Sequence, residues 1–257
     1  MSARRSSLNL PAALVLLLAG CASFPAPPPE PLAPEVNRLI DGLDRRWRQF
    51  DDLRTRVEIT LRRDGQAQRL SGVLLLKSPN SIRFEALSPW GQPTLILAAT
   101  AESFTLYQVA ENRALVGPAS ARATERWLGF ALEPAELVGI LAGHILPMKE
   151  PRAGSLRLAD GLGPSLELAV AGAVQRIWLD LETLVVHQVE WIGGNTQLRV
   201  TYDGGGPVEP PTGLVLAALD RPFSVSIRYQ EPEIGVGLPA ELFTLTLPEH
   251  TEIQRFR

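Results

Sequence analysis

The feature that most limits the fold of this chain is an alternation of apolar and polar residues that recurs in many short segments. FSVSIRY (223–229) is one example, and VEITL (57–61), IWLDL (177–181) and LRVTY (198–202) are others. Successive side chains of a strand face opposite sides of a sheet, so this pattern is typical of antiparallel strands with one apolar and one hydrated face. Turn residues such as Asp64-Gly65 separate the segments, and we predict about eleven strands.

Three segments carry helical periodicity instead, at 34–50, 121–130 and 134–145. Three short helices cannot cover the apolar face of about ten flat strands, so the sheet must curl and the helices must fill or cap the enclosed space. The predicted fold class is mainly β with a few helices (α+β): a strongly curved antiparallel open β-barrel of about eleven strands with a helical lid. Such a sheet encloses a cavity lined by Leu, Val, Ile and aromatic residues.

Some strand segments are apolar on both faces. Three segments have no polar side that could face water: GVLLLK (72–77), TLILAA (94–99) and GLVLAAL (213–219). We therefore expect that another part of the chain covers their outer side, or that they lie deepest in the fold.

The first twenty residues predict export. Arg4 and Arg5 precede an apolar run, 10–18, that is too short to span a bilayer. The following LAGC (18–21) resembles the lipobox of bacterial lipoproteins, in which the cysteine becomes the first residue and carries acyl chains. Cys21 is also the only cysteine in the chain, which excludes an intramolecular disulfide. The alternative is an ordinary secretory signal peptide with small residues at its cleavage site. By the same resemblance, Ala22 fits sorting to the outer membrane.

A proline-rich segment follows the cysteine. Residues 24–34 contain six prolines, which in polyproline II conformation give a tether of about 35 Å. The sequence thus divides into a lipoprotein signal peptide (1–20), a lipidated cysteine with its tether (21–34) and a single domain (35–257). The net charge of −3 becomes −5 when Arg4 and Arg5 are removed. This mildly acidic chain has no basic stripe, so we do not expect it to bind nucleic acid.

Residue patterns for catalysis are missing from the sequence. His144, His187 and His250 lie far apart and lack metal-ligand spacing. There is no G-x-S-x-G motif, and Gly204-Gly205-Gly206 lacks the following lysine of a P-loop. Carboxylates such as Asp51-Asp52 and Glu231 with Glu233 fall on predicted hydrated faces or loops. We predict a protein that is not an enzyme and that has no metal or cofactor.

A tryptophan stands in a predicted tight turn between two strand segments. In SPWG (88–91), the proline suits the second position of a type I turn and the glycine suits the fourth. Trp90 is then exposed at the tip of the turn. The alternative is that its ring folds back onto the sheet or makes an incidental surface contact.

The order of these elements resembles the LolA/LolB superfamily of periplasmic lipoprotein carriers and receptors, and most closely LolB-like outer-membrane lipoproteins. The matching run covers residues 82–147, with SPWG at 88–91, Leu128-Gly129 in the lid segment and a closing Leu146-Pro147. The lipobox and an N-terminal amphipathic helix complete the pattern. Beyond residue 203 the chain departs from LolB and resembles the LolA side of the superfamily or an uncharacterised branch of it.

The resemblance implies a cavity that holds the acyl chains of a lipoprotein. A LolA-like periplasmic carrier delivers this lipoprotein, and the present chain inserts it into the outer membrane. It also implies that the protein is anchored to that membrane through acylated Cys21, faces the periplasm and uses Trp90 as a membrane-delivery tip. We expect a monomer. The candidate residues of the cavity and lid are Ile59, Phe84, Leu97, Leu106, Trp127, Leu137, Leu141, Leu179, Trp191 and Val200.

Other interpretations of the sequence remain open. Any single candidate residue could belong to an ordinary core, and aromatic residues such as Phe84, Trp191 and Tyr202 could fill the cavity. The chain would then be an envelope scaffold of the same fold that binds proteins and not lipid. A third interpretation, a cell-wall or lipid hydrolase, has no set of catalytic residues to support it.

Overall fold

The computed structural model describes residues 31–194 and 197–256, and a single large sheet organises this part of the chain. Cys21, the signal peptide and the tether as far as residue 30 lie outside the described residues. The sheet contains fourteen strands. Their bounds are β1 (Asp52–Arg63), β2 (Gln66–Lys77), β3 (Ser81–Leu87), β4 (Pro93–Ala99), β5 (Ser103–Gln108), β6 (Arg113–Pro118), β7 (Ala153–Arg157), β8 (Ser165–Val170), β9 (Ala173–Leu179), β10 (Val186–Gly193), β11 (Leu198–Asp203), β12 (Gly213–Ala218), β13 (Phe223–Ile234) and β14 (Glu252–Arg255).

The strands follow the order β14-β6-β5-β4-β3-β2-β1-β13-β12-β11-β10-β9-β8-β7. Neighbouring strands are antiparallel except β14 and β6, which are parallel. Within the described ranges, no pairing joins β7 to β14, so the curved sheet remains open. The predicted barrel of about eleven strands therefore needs correction. Alternation undercounts strands because edge strands such as β7 and β14 have only five and four residues.

Three α-helices lie in the segments where the sequence predicts them: α1 (Pro34–Gln49), α2 (Ala121–Leu128) and α3 (Pro134–Ala142). Prolines begin α1 and α3, where the missing N–H is not needed. The Ser120 side chain accepts a hydrogen bond from the amide of Ala123 and caps α2. Gly129 and Gly143 end α2 and α3 with φ of 85° and 78°, a conformation that favours glycine.

Helix α1 occupies one half of the concave face, near β7 and the turn between β9 and β10. A Cβ atom on Gly42 would lie 2.5 Å from Leu184, so glycine permits a close approach here. Arg46 donates a hydrogen bond of 2.7 Å to the carbonyl of Thr183 in the same turn. Leu39 and Leu43 are buried against this part of the sheet. The concave face is thereby divided into a half covered by α1 and a half beneath α2 and α3.

The C-terminal segment 235–251 crosses the outer face of β1, β2 and β3. The buried carboxylate of Asp52 accepts hydrogen bonds from the amides of Val236 (2.8 Å) and Leu238 (2.7 Å). Leu238 and Phe243 then pack on Leu75 in a small second core. This segment covers the outer side of GVLLLK, which explains why that strand is apolar on both faces. The chain then continues into β14, which pairs with the edge strand β6.

The arginines of the outer face pair with carboxylates of neighbouring strands. Arg54 donates to Glu233 at 2.7 Å, and Arg56 donates to Glu231 at 2.7 Å. These exposed pairs contribute at most about 1 kcal/mol each. The two glutamates therefore belong to cross-strand ion pairs on the hydrated face of the sheet.

Candidate functional site

An apolar cavity of about 250 Å³ lies between the concave face of the sheet and the two lid helices α2 and α3. Strands β1 to β5 form its main wall, β12 and β13 form a second wall, and the helices form its roof. Its lining residues are Ile59, Leu61, Gln68, Leu70, Leu74, Ile82, Phe84, Leu95, Leu97, Leu106, Trp127, Leu128, Leu137, Leu141, Leu216, Val225 and Ile227. Apart from Gln68, the side chains of this lining are apolar or aromatic.

Seven of the ten residues that the sequence singles out line this cavity. They are Ile59, Phe84, Leu97, Leu106, Trp127, Leu137 and Leu141. Leu179, Trp191 and Val200 do not line it, although all three are buried, with 1%, 7% and 0% of their surface exposed. They lie on β9, β10 and β11 and belong to the main hydrophobic core. Alternation identifies the concave face correctly, but it does not distinguish the filled half from the hollow half.

Other lining residues follow the same alternation but are not among the ten candidates. Leu61 follows Ile59 by two positions, and Leu95 precedes Leu97 by two, so each pair shares a face of its strand. Val225 and Ile227 lie on the apolar side of the alternating segment 223–229. Leu128 has no such signal, because its position beneath the lid depends on the orientation of α2.

The cavity opens toward one end of the sheet. Leu74 and Ile82 in its depth are buried, whereas Leu61 and Leu70 keep partial exposure and Gln68 is exposed. The last three residues lie nearest the turn that joins β1 to β2. Successive turns of an antiparallel sheet alternate between its two ends, so the β3–β4 turn shares this end with the β1–β2 turn. The mouth of the cavity and the turn at 88–91 are therefore at the same end of the molecule.

The β3–β4 turn has the geometry that the sequence predicts. The amide of Gly91 donates to the carbonyl of Ser88 at 2.9 Å, and the amide of Gln92 donates to the hydroxyl of Ser88 at 3.1 Å. Gly91 has a φ of 78°, which continues the turn into β4. Trp90 exposes 88% of its surface, so its ring does not pack back onto the sheet.

Two buried tyrosines attach the lid helix α3 to the sheet. The hydroxyl of Tyr202 donates to the carbonyl of Ile140 at 3.0 Å, and that of Tyr229 donates to the carbonyl of Leu141 at 2.6 Å. These carbonyls belong to the last turn of α3, where the helix itself supplies few donors. Burial raises the pKa of both phenols, for Tyr202 with a smaller contribution from Tyr229. The tyrosines are therefore neutral donors that fix the C-terminal end of α3.

Helix α2 is attached through its connection to α3 and through an aromatic stack. The hydroxyl of Thr124 donates to the carbonyl of Leu132 and accepts from the amide of the same residue at 3.1 Å. The ring of Trp127 stacks on Phe104, with centroids 5.9 Å apart and planes inclined by 25°. The Nε1 atom of Trp127 is buried and has no hydrogen-bond partner among the described residues.

A second, more polar cavity of about 240 Å³ lies at the other end of the sheet, beside the C-terminal end of α1. Arg46 donates to the carbonyls of Gly206 and Pro207 there, at 3.4 and 3.3 Å. His144 lies against the rings of Trp47 and Phe50. These contacts connect α1 to the loop after β11, and we assign them a structural role.

The described residues contain no cluster of three or more His, Cys, Asp or Glu side chains that could hold a metal ion. His144 is half-buried, whereas His187 and His250 are exposed. Burial, with a smaller contribution from the charge of Arg46, lowers the pKa of His144 to about 4. Among residues 31–194 and 197–256, no helix combines the length and the apolar character needed to cross a membrane.

Comparison with solved structures identifies the fold. A domain described as part of an outer membrane lipoprotein-sorting protein from Vibrio parahaemolyticus superposes with a TM-score of 0.58 and 14% identity, over 80% of this chain and 94% of that one. A LolA superfamily protein from Nitrosomonas europaea gives 0.54 and 11%, over 82% and 97%. A DUF1329 family protein from Desulfovibrio piger gives 0.54 and 13%, over 81% and 95%.

These similarities confirm the fold that the sequence resemblance implies: the chain has a LolA/LolB-like superfamily fold. Identities of this size establish a shared fold and nothing finer. No protein-family model matches the chain, and no curated protein matches it.

Proposed function

We propose that this chain is an outer-membrane-anchored lipoprotein that binds the acyl chains of other lipoproteins and helps to insert them into that membrane. The observation that carries the proposal is the cavity of about 250 Å³, whose lining side chains are apolar or aromatic apart from Gln68. An alkyl chain gains about 0.8 kcal/mol for each methylene group that it buries. The fold shared with a lipoprotein-sorting domain and a LolA superfamily protein supports this choice of ligand.

The proposal includes the division of the chain that the sequence suggests. Residues 1–20 are a signal peptide, acylated Cys21 and the tether to residue 34 form the anchor, and 35–257 form the binding domain. In this arrangement the domain faces the periplasm and receives its cargo from a LolA-like carrier. We assign the chain no catalytic role and expect it to act as a monomer.

Trp90 has a role in release in this proposal. Its ring combines a large apolar surface with one N–H donor, a combination suited to the boundary between lipid and water. Support comes from its 88% exposure and from its position at the end where the cavity opens. Cargo that leaves through the mouth then meets the membrane that the indole touches.

One observation favours an alternative function. Part of the concave face is filled, since residues such as Leu179, Trp191 and Val200 are buried in the main core and do not line the apolar cavity. If the remaining cavity is closed to ligands, the chain is an envelope scaffold that binds proteins and not lipid.

A transfer assay distinguishes the two functions. The full chain carrying Cys21→Ser, which removes the expected lipid acceptor, is mixed with a LolA-type carrier loaded with a labelled lipoprotein, and liposomes are then added. The same assay is run on Trp90→Glu. Val208→Glu is the matched control, because Val208 is 86% exposed and lies in the β11–β12 loop at the opposite end of the sheet.

The receptor function predicts that all three proteins take the cargo. Only Trp90→Glu then fails to pass it to liposomes. Equal release by Trp90→Glu and Val208→Glu contradicts the role of Trp90 but not that of the cavity. Absence of cargo transfer, together with no binding of a fluorescent fatty acid, contradicts the receptor function and favours the scaffold.

A further inference from the structure

An open cavity lined by arginines lies at the end of the sheet where the apolar cavity has its mouth. Its volume is about 400 Å³, and its walls are the end of β1, the start of β2 and the β12–β13 turn. Arg62, Arg63 and Arg221 line this arginine cavity together with Gln66 and Ser224. In the described part of the chain, its lining includes no carboxylate. Three like charges around one space attract an anion.

Two of these arginines have free donors, unlike the arginines farther along the sheet. Arg54, for example, forms an ion pair with Glu233 on the outer face. Among the described residues, the side chains of Arg62 and Arg63 form no ion pair and no hydrogen bond. Both side chains are exposed, so a ligand from solvent can reach them.

The nearby carboxylates leave this charge largely uncompensated. Asp64 lies in the β1–β2 turn, and Asp220 pairs with Arg221 at 3.4 Å, but neither aspartate lines the cavity. Arg221 also donates to a backbone carbonyl at the end of α2. Arg221 therefore has part of its donors occupied, and the free donors of the site come from Arg62 and Arg63.

A buried aromatic ring holds two of the guanidinium groups in place. The Cζ atom of Arg63 lies over the ring of Phe223, 5.1 Å from its centroid, and that of Arg221 lies over the same ring at 5.8 Å. Phe223 is buried and packs on Phe130, so the core fixes its position. Contact with an aromatic ring uses none of the N–H donors of a guanidinium group. The two groups are thus held at one place while donors remain for a ligand.

The arginine cavity adjoins the mouth of the apolar cavity. Arg63 follows Leu61 by two positions on β1, and Phe223 precedes Val225 by two on β13, so each pair shares a face of its strand. One such step is about 7 Å. The turn of Trp90 lies two strands away at the same end, about 10 Å along the sheet. A membrane that contacts the indole therefore brings its headgroups to the arginines.

The chemistry of these groups selects the ligand. A guanidinium group presents paired N–H donors that match the oxygens of a phosphate group. Apolar groups such as Phe223 and Ala218 line the same cavity, and they suit the glycerol and first methylene groups of a lipid better than a free ion. We infer that the arginine cavity binds the phosphate group of an anionic phospholipid. This site adds a lipid ligand to the proposed function and does not depend on the acyl cavity.

Vesicle sedimentation and nuclear magnetic resonance test the inference with the full chain carrying Cys21→Ser. The probes are phosphatidylcholine vesicles with and without phosphatidylglycerol, monomeric dihexanoyl phosphatidylglycerol, and inorganic phosphate. Arg62→Gln/Arg63→Gln removes the two free cations and identifies their Nε–H resonances. Arg45→Gln/Arg48→Gln is the matched control, because both arginines are exposed on α1 and also form no ion pair with a described residue.

The expected result is that phosphatidylglycerol in the vesicles strengthens binding of the parent protein. The affinity for these vesicles falls about thirtyfold in Arg62→Gln/Arg63→Gln, because each arginine contributes about 1 kcal/mol at an anionic membrane. The control variant loses far less. The soluble lipid shifts the Nε–H resonances of Arg62 and Arg63, and inorganic phosphate does so only at much higher concentration.

Three results overturn the inference. Equal losses in the two double variants show that net charge, and not the arginine cavity, determines binding. Inorganic phosphate that binds as tightly as the soluble lipid shows a general anion site. Unchanged vesicle binding by Arg62→Gln/Arg63→Gln, with slower uptake of cargo from a LolA-type carrier, shows that the arginines contact the carrier. All three leave the proposed function standing, which fails separately if the parent protein takes no cargo from that carrier.

Discussion

The volume of the cavity sets an upper limit on the length of alkyl chain that lies within it. Its volume is about 250 Å³, and a group of the size of water or methylene occupies about 30 Å³. The cavity therefore has room for about eight methylene groups, roughly half of one long acyl chain. Each methylene contributes about 0.8 kcal/mol when buried, which is about a fourfold gain in affinity. We expect the affinity of neutral acyl esters to rise about fourfold per carbon and to level off near eight carbons.

Calorimetry or fluorescence displacement with a series of methyl esters measures this dependence. Leu106→Phe adds bulk to the cavity wall, so the affinity should level off one or two carbons earlier. Leu156→Phe is the matched control, since Leu156 is also partly buried on the concave side but lies on β7, away from the cavity. If affinity in the parent protein keeps rising to sixteen carbons, the cavity is not rigid and the reasoning from its volume is wrong. A limit that Leu106→Phe does not shift contradicts the assignment of this cavity as the binding site.

Two further predictions concern the lid and the second cavity. Tyr229→Phe leaves the carbonyl of Leu141 without its hydrogen-bond partner. Urea denaturation should then show that the free energy of unfolding falls by about 1 to 3 kcal/mol. A decrease below about 0.5 kcal/mol, roughly the smallest contribution of such a bond, would show that α3 does not depend on it. The pKa of His144 is about 4 in the folded chain, below its ordinary value, so the unfolded chain binds the proton more readily. Stability that is complete above about pH 6.5 should then fall, by at most about 3 kcal/mol, as the pH drops toward 4. His144→Gln should remove this part of the pH dependence, and an unchanged profile would contradict the assignment.

Local sequence determined the secondary structure and, for most strands, which side carries the apolar residues. The period of two assigns Ile59, Leu97 and Val200 alike to the apolar face, because side-chain direction in a strand depends only on position along it. Helix ends at Gly129 and Gly143 follow from the conformational freedom of glycine in the same local way. The turn around Trp90 was also predictable, since proline and glycine at fixed positions define it.

Tertiary structure decided which part of the apolar face is hollow. Leu97 faces the cavity and Val200 does not, yet both lie on the same face of one sheet. What separates them is the packing above each strand: side chains fill the space over Val200, whereas space remains beside Leu97. The path of α1 depends on contacts with residues more than a hundred positions away, such as Arg46 with Thr183. Periodicity carries no information about such contacts.

The C-terminal segment illustrates the same limit. Its sequence predicts neither the parallel pairing of β14 with β6 nor the contact of Phe243 with Leu75, because both depend on where the sheet edge and outer face lie in space. The unpartnered N–H of Trp127 is likewise visible only when the surrounding atoms are known. The sequence by itself determined the strands, the helices and the apolar face. Only the tertiary structure decided where a cavity remains, because packing between distant segments fixes its position.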